Sequence, residues 1–388
     1  REAATEGMVL LKNEHNLLPL KAGSRIALFG KGSFDYVKGG GGSGDVTVSY
    51  VHNLYDGFQM LHDAVSLYEP LCDFYRANVN EQYDLGSVPG MTTEPALSAE
   101  LLTGASAYTD TAVIVLSRFS GEGWDRSSIE YNGEYNPWET ETSMPKISGE
   151  IFPDGDFYLT KEESAMIAQV KQHFSRIAVV LNIGGIIDTS WIKNDDQISS
   201  ALIAWQGGME GGLAMAELLC GKVSPSGKLP VTFYESLDEL PEFTDYNMAD
   251  RTYRYTDKNV LYPFGYGLHY GRVRYEEECV SGERTDTSGE VKVSASVINE
   301  GKYALWETVQ VYVKRKESLD YEPGFQLKGV SCVHLAPGEK QRIEVTLSPR
   351  DFAYITEEGD CVVRPGEYLI AVGGQQPDEE SERLTGQR

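Results

Sequence analysis

Residues 111–126 read TAVIVLSRFSGEGWDR. The apolar run Thr111–Leu116 has the length and continuity of a strand buried on both faces. That pattern belongs to parallel sheets covered by helices rather than to half-exposed antiparallel ones. The run stops at Ser117-Arg118 and opens into a loop where Glu122 stands between two glycines. Glycine on either side removes bulk beside the carboxylate and frees the backbone to turn. An acidic side chain is thereby expected at the carboxyl end of a buried strand, where open α/β sheets bind their ligands. Glu122 is the candidate catalytic carboxyl.

The surrounding segments agree with this reading. Arg25–Gly30 (RIALFG), Arg176–Gly184 (RIAVVLNIG), Ala201–Trp205 and Gly227–Phe233 (GKLPVTF) are expected as further strands. Helices are expected over Glu2–Lys12, Leu54–Val65, Thr160–Phe174 and Gly212–Leu219. The third opens with a capping box, Thr160 and Glu163. Strands without polar alternation, interleaved with amphipathic helices, specify an α/β domain with a mainly parallel sheet over residues 1–235. Residues 236–270, rich in Pro, Tyr and Asp, read as an ordered connector whose aromatics need a surface to pack on. From Gly271 the period changes to two: Val291–Ile298, Thr308–Lys314, Arg342–Leu347 and Tyr368–Val372 alternate. Turn signals stand at Asn299-Glu300-Gly301, Pro337-Gly338 and Pro365-Gly366. Residues 271–388 are therefore expected to form an all-β, fibronectin type III-like sandwich with a polar tail after Gly374.

Composition narrows the function. A chain of 388 residues, 41% hydrophobic and 11% aromatic, can bury a core in each of two domains. A net charge of −25 argues against nucleic acid or anionic membrane as partner, both of which need basic patches. No apolar run approaches the roughly 18 residues of a membrane-spanning helix. The five cysteines are scattered without a CxxC pair, and the six histidines without an HxxxH or HxH pair. No metal or organic cofactor is expected. The chain begins at Arg1 without methionine or signal peptide, which reads as a piece of something longer. Compartment is left undetermined, with the cytoplasm favoured.

Gly30-Lys31-Gly32 follows a strand but lacks the third glycine and prompt helix of a dinucleotide-binding turn. Neither a Walker sequence nor a GxSxG elbow occurs. The glycine loop Lys38–Asp45 (KGGGGSGD) offers amides that can face a ligand. Beyond Glu122, a long insertion to Asp154 carries Glu130, Glu134, Glu139, Glu141 and Glu150 together with Tyr131, Tyr135 and Trp138. Aromatic faces and hydroxyl-accepting carboxylates are the two surfaces a sugar presents partners for. Ser120, Tyr131, Tyr135 and Trp138 are the candidate substrate-binding residues.

Several stretches together resemble the accessory part of glycoside hydrolase family 3, the β-glucosidase group. They are Arg1–Leu20 (REAATEGMVLLKNEHNLLPL), Lys38–Val46 (KGGGGSGDV), Ser117–Arg126 (SRFSGEGWDR) and Gly155–Glu163 (GDFYLTKEE). Trp205–Phe233 (WQGGMEGGLAMAELLCGKVSPSGKLPVTF) and Arg251–Tyr270 (RTYRYTDKNVLYPFGYGLHY) complete the set. The resemblance implies that Glu122 is the general acid/base and that a fibronectin type III-like domain follows. It also implies a (β/α)8-type barrel carrying an aspartate nucleophile in an SDW-like motif and a Lys-His sugar-binding pair, none of which occurs here. The partners implied are a β-glucoside or oligosaccharide and a barrel from the same precursor or another chain, on either side of this one; a homo-oligomer is left open. A retaining glycosidase needs two carboxyls about 5 to 5.5 Å apart. With one of them missing, Glu122 is expected to titrate near an ordinary glutamate. A non-catalytic carbohydrate-binding or assembly module is the alternative, and β-xylosidase or another β-glycosidase the alternative within the enzyme class.

Overall fold

The computed structural model describes residues 1–62, 64–122, 148–282, 284–317, 322–356 and 358–386. Two compact units divide the chain, Arg1–Gly227 and Lys228–Arg388.

In the first unit, six strands among the described residues form one sheet: β1 (Val9–Asn13), β2 (Ser24–Phe29), β3 (Val65–Leu67), β4 (Thr111–Ser117), β5 (Arg176–Asn182) and β6 (Ile198–Ile203). Their order is β1-β6-β5-β4-β2-β3. β2 to β6 are mutually parallel and β1 lies antiparallel against β6 at one edge. Every residue of β4 and β6 is buried, as continuous apolar strands in a covered sheet require. Strand order reverses between β2 and β4. The crevice outside their carboxyl ends is the place where such a sheet receives a ligand.

Three expectations are corrected here. The helix expected over Glu2–Lys12 ends at Gly7, and Val9–Asn13 is edge strand β1. Met8 to Leu11 are all at most 1% exposed, so burial on both faces overrides the helical spacing of Ala4, Met8 and Leu11. The helix from Leu54 stops at Met60, and Val65 already belongs to β3. Gly227–Phe233 adds no strand to the sheet; only Phe233–Tyr234 (β7) is extended, paired with Val260–Tyr262 (β8) inside the second unit. Helices Glu69–Asp84 and Ala99–Tyr108, unanticipated from the sequence, follow β3 and precede β4. The helix Lys161–His173 starts at the expected capping box, with Thr160 and Glu163 bonded reciprocally.

The second unit is built on two antiparallel sheets. β13 (Lys340–Leu347), β10 (Val291–Asn299) and β9 (Val273–Val280) form one; β12 (Gln326–Leu335), β11 (Leu305–Arg315) and β14 (Tyr368–Gly373) form the other. Alternating residues of both, among them Val293, Val297, Val309, Val311, Val333 and Ile343, make the core. The fold class is thus an α/β domain with a mainly parallel sheet followed by a fibronectin type III-like sandwich. Aromatics of residues 236–270 pack on one another, Tyr253 stacking on Phe264 at 4.1 Å and Tyr262 on Tyr266 at 5.5 Å.

Candidate active site

Two loops leave the switch point, one after β2 and one after β4, and meet. Gly30 and Gly32 let the first start flat against β4: a Cβ on Gly30 would lie 2.3 Å from the Val115 carbonyl oxygen, and one on Gly32 2.8 Å from it. The chain then runs through Phe34–Val37 into the glycine loop. Asn182, the last residue of β5, fixes that run by accepting from Val37 N at 2.7 Å and donating to the Val37 and Trp205 carbonyls at 2.9 and 2.6 Å.

The loop after β4 is anchored by a buried ion. Arg118 follows the strand directly and is almost wholly enclosed. Its guanidinium meets Glu163 with two hydrogen bonds of 2.7 Å, donates to the carbonyls of Ser117, Asp156 and Tyr158, and lies 4.6 Å from the centre of the Phe152 ring. All five N–H donors are engaged. Burial alone would raise the Glu163 carboxyl, but the Arg118 charge prevails and holds it below the ordinary range. The cap of one helix therefore also fixes the base of the Glu122 loop.

A second buried set braces the other side. Lys31 Nζ reaches Asp35 at 3.0 Å, and Asp35 accepts from the Tyr83 and Thr92 hydroxyls and from Gly90 N at 2.6–2.7 Å. Glu94 accepts from Lys31 N and from Tyr75 Oη, each at 2.8 Å. Burial pushes the Glu94 carboxyl up to about 7, those two donors and the Lys31 charge offsetting only part of the cost.

Glu122 stands on the framework so made. A one-residue parallel bridge joins Gly41 to Gly121. Gly41 N donates to the Ser120 carbonyl at 3.2 Å and Glu122 N to the Gly41 carbonyl at 3.4 Å. Ser43 N donates to Glu122 Oε2 at 2.8 Å, and Ser43 Oγ also donates to it at very short range. These two donors hold the exposed Glu122 carboxyl below its usual range. This differs from the expectation of an ordinary titration, because the glycine loop supplies donors that favour the ionised form. Beside Glu122 lies a cleft of about 540 Å³, walled by Phe34, Tyr36, Val51, Val88, Pro89 and Phe119 with Lys38, Asp45, Asn53 and Tyr83 at polar positions. Of the candidate substrate-binding residues, Ser120 is half-buried under the glycine loop. Tyr131, Tyr135 and Trp138 lie outside the described residues, as do Glu130, Glu134, Glu139 and Glu141.

A model of the glycosyl hydrolase family 3 C-terminal domain matches residues 8–270, and one of the fibronectin type III-like domain matches residues 307–376. The chain belongs to glycosyl hydrolase family 3. Beta-glucosidase A of Butyrivibrio fibrisolvens is 42% identical over 405 residues, spanning 96% of this chain and 49% of that protein. Among solved structures, a beta-glucosidase from Paenibacillus barengoltzii superposes with a TM-score of 0.83 at 28% identity, over 97% of this chain and 41% of that one. Beta-glucosidase 3B from Thermotoga neapolitana, solved in complex with glucose, gives 0.80 at 30% identity over 97% and 52%. This family 3 chain spans about half the length of the curated relatives it matches.

Sequence reasoning nominated Glu122, which the structure places on the rim of the cleft, and did not point to Ser43, Glu94 or the Lys31–Asp35 pair. A usable signal existed for Arg118 alone: a cation one residue beyond the five apolar residues Ala112–Leu116 is poorly placed for water and needs a buried counter-charge.

Proposed function

We propose that the chain is the acid/base-bearing and structural part of a retaining, β-glucosidase-like exo-glycosidase acting on terminal β-linked glucosyl residues. Membership of the family gives it a glycosidase-related role; the finer assignment rests on Glu122. Its position at the topological switch point, on the rim of a cleft of about 540 Å³, is the observation that carries the reading. A barrel domain, from the same precursor or another chain, would supply the nucleophile and most of the sugar pocket.

In the first step the barrel's carboxylate attacks the anomeric carbon, the C1–O bond breaks, and Glu122 gives its proton to the departing oxygen. In the second, Glu122 as carboxylate takes a proton from water, the water oxygen attacks C1, the ester bond between C1 and the barrel's carboxylate breaks to regenerate that carboxylate, and the sugar leaves with its configuration retained.

The test is Glu122→Gln in the complete enzyme. General acid catalysis is worth about 10²–10⁴-fold, so turnover of an alkyl glucoside should fall by that order, and a nitrophenyl glucoside, which leaves without protonation, much less in its first step. Unchanged turnover of both substrates would move the acid/base elsewhere, with Glu130 and Glu134 next. Mixing this chain with separately expressed barrel should restore hydrolysis.

A further inference from the structure

We propose that Ser43 is the positioning residue of Glu122. The glycine loop grips the carboxyl by Oε2 and leaves Oε1 as the oxygen that exchanges a proton with the substrate. The inference rests on the acid/base reading of Glu122, but the contact itself can be tested without turnover.

The geometry is specific to one oxygen. Ser43 N and Ser43 Oγ both donate to Oε2, and among the described residues no hydrogen bond reaches Oε1. A carboxyl held at one oxygen by two donors loses rotation about its terminal torsion, which is otherwise broad. The free oxygen then has a fixed direction, as proton transfer along a hydrogen bond requires.

The loop is shaped for this approach. Gly42 has φ of +69°, in the left-handed region, and a Cβ there would lie 2.4 Å from Glu122 Cβ. A Cβ on Gly121 would lie 2.4 Å from Gly41 N. Glycine at both positions is what lets the two loops run side by side at bridge distance and brings Ser43 onto the carboxylate.

Other polar groups of the cleft are occupied elsewhere. Lys38 pairs with Asp45, Tyr83 Oη donates to Asp35, and Tyr36 Oη donates to the Gly208 carbonyl at 2.9 Å. Ser43, on the glycine loop beside the cleft, is the side-chain donor to Glu122 among the described residues, and the lowered carboxyl follows from it.

The experiment has two arms. In this chain, the Glu122 carboxyl is titrated by carbon-detected NMR in the wild type, Ser43→Ala, Ser43→Thr and Gly42→Ala. Ser43→Ala and Gly42→Ala should raise its pKa, while Ser43→Thr, which keeps the hydroxyl, should not. In the complete enzyme, Ser43→Ala should lower kcat for an alkyl glucoside about tenfold or more with KM little changed, since a displaced catalytic group loses rate rather than binding. The alkaline limb of its pH profile should move upward, and Ser43→Thr should restore both. An unmoved carboxyl titration in Ser43→Ala and Gly42→Ala overturns the proposal. So does a moved titration with kcat and the alkaline limb unchanged. Failure of the underlying reading shows separately, as full activity of Glu122→Gln.

Discussion

Glu94→Gln should remove a loss of stability that the first unit suffers as pH rises from 4.5 to about 7. Glu94 is 4% exposed, and its carboxyl is displaced upward from 4.5 to about 7, chiefly by burial. Below pH 4.5 both the folded and the unfolded chain hold this proton. Between 4.5 and 7 the unfolded chain has released it and the fold has not, so stability falls as pH rises. Above 7 the loss is complete. At about 1.4 kcal/mol per pH unit the loss amounts to about 3 kcal/mol. Glutamine cannot ionise and escapes it, at the cost of one of the two acceptor oxygens, Oε2 for Lys31 N and Oε1 for Tyr75 Oη, about 1 kcal/mol. The variant should therefore be slightly less stable than wild type at pH 5 or below and about 2 kcal/mol more stable at pH 8. Because the chain has two compact units, a single denaturation curve would mix their transitions. Hydrogen exchange of β2 and β4 amides, compared between variant and wild type at each pH, isolates the unit that holds Glu94. A stability difference that stays constant from pH 5 to 8 would refute the reasoning.

Arg118→Met should cost about 3–5 kcal/mol, because it strands the Glu163 carboxylate in the interior; Arg118→Met/Glu163→Met should recover much of that in the same exchange measurement. Gly212→Ala should destabilise by about 3 kcal/mol, since its Cβ would sit 2.0 Å from the Asn53 carbonyl oxygen, and the melting temperature should drop by several degrees.

The sheet was readable because its strands are apolar throughout, a pattern that two-face burial imposes and little else imitates. β1 was not, because MVLLKN fits either period over so short a run; the edge of β6, with unpaired backbone groups needing partners, settled it. GKLPVTF failed in the opposite sense: Leu229 and Phe233 are buried, but Val231 is exposed and Pro230 cannot donate to a ladder. Glu122 was singled out by its two flanking glycines. Ser43 was not, since 79 residues separate it from its partner and a serine among glycines reads as linker. The buried pair Lys31–Asp35 was hidden for a related reason, as was the identity of the counter-charge of Arg118, Glu163. Charged residues are expected at the surface, and only the fold reveals which of them have been enclosed together.

The state in which the structure holds Glu122 bears on what a complete site must add. An exposed carboxyl with two donors on one oxygen is arranged to be a base, which suits the second step of a retaining hydrolysis and opposes the first. Protonation for the first step needs a contribution that raises the carboxyl against Ser43. Two physical sources are available: exclusion of water from Oε1, and a second carboxylate a few ångströms away, whose negative charge disfavours ionisation of Glu122. On the proposed reading the barrel brings both at once, and it loses the second when its nucleophile becomes esterified to the sugar. Glu122 would then fall back toward the ionised form that Ser43 favours, at the step where a base is required. The glycine loop would thus set the resting state of the carboxyl, and the partner carboxylate would displace it only while an acid is needed. In the complete enzyme this orders the pKa values: Glu122 should titrate higher in the free enzyme than in the trapped glycosyl-enzyme. NMR titration of both states checks that order, and equal values would refute it.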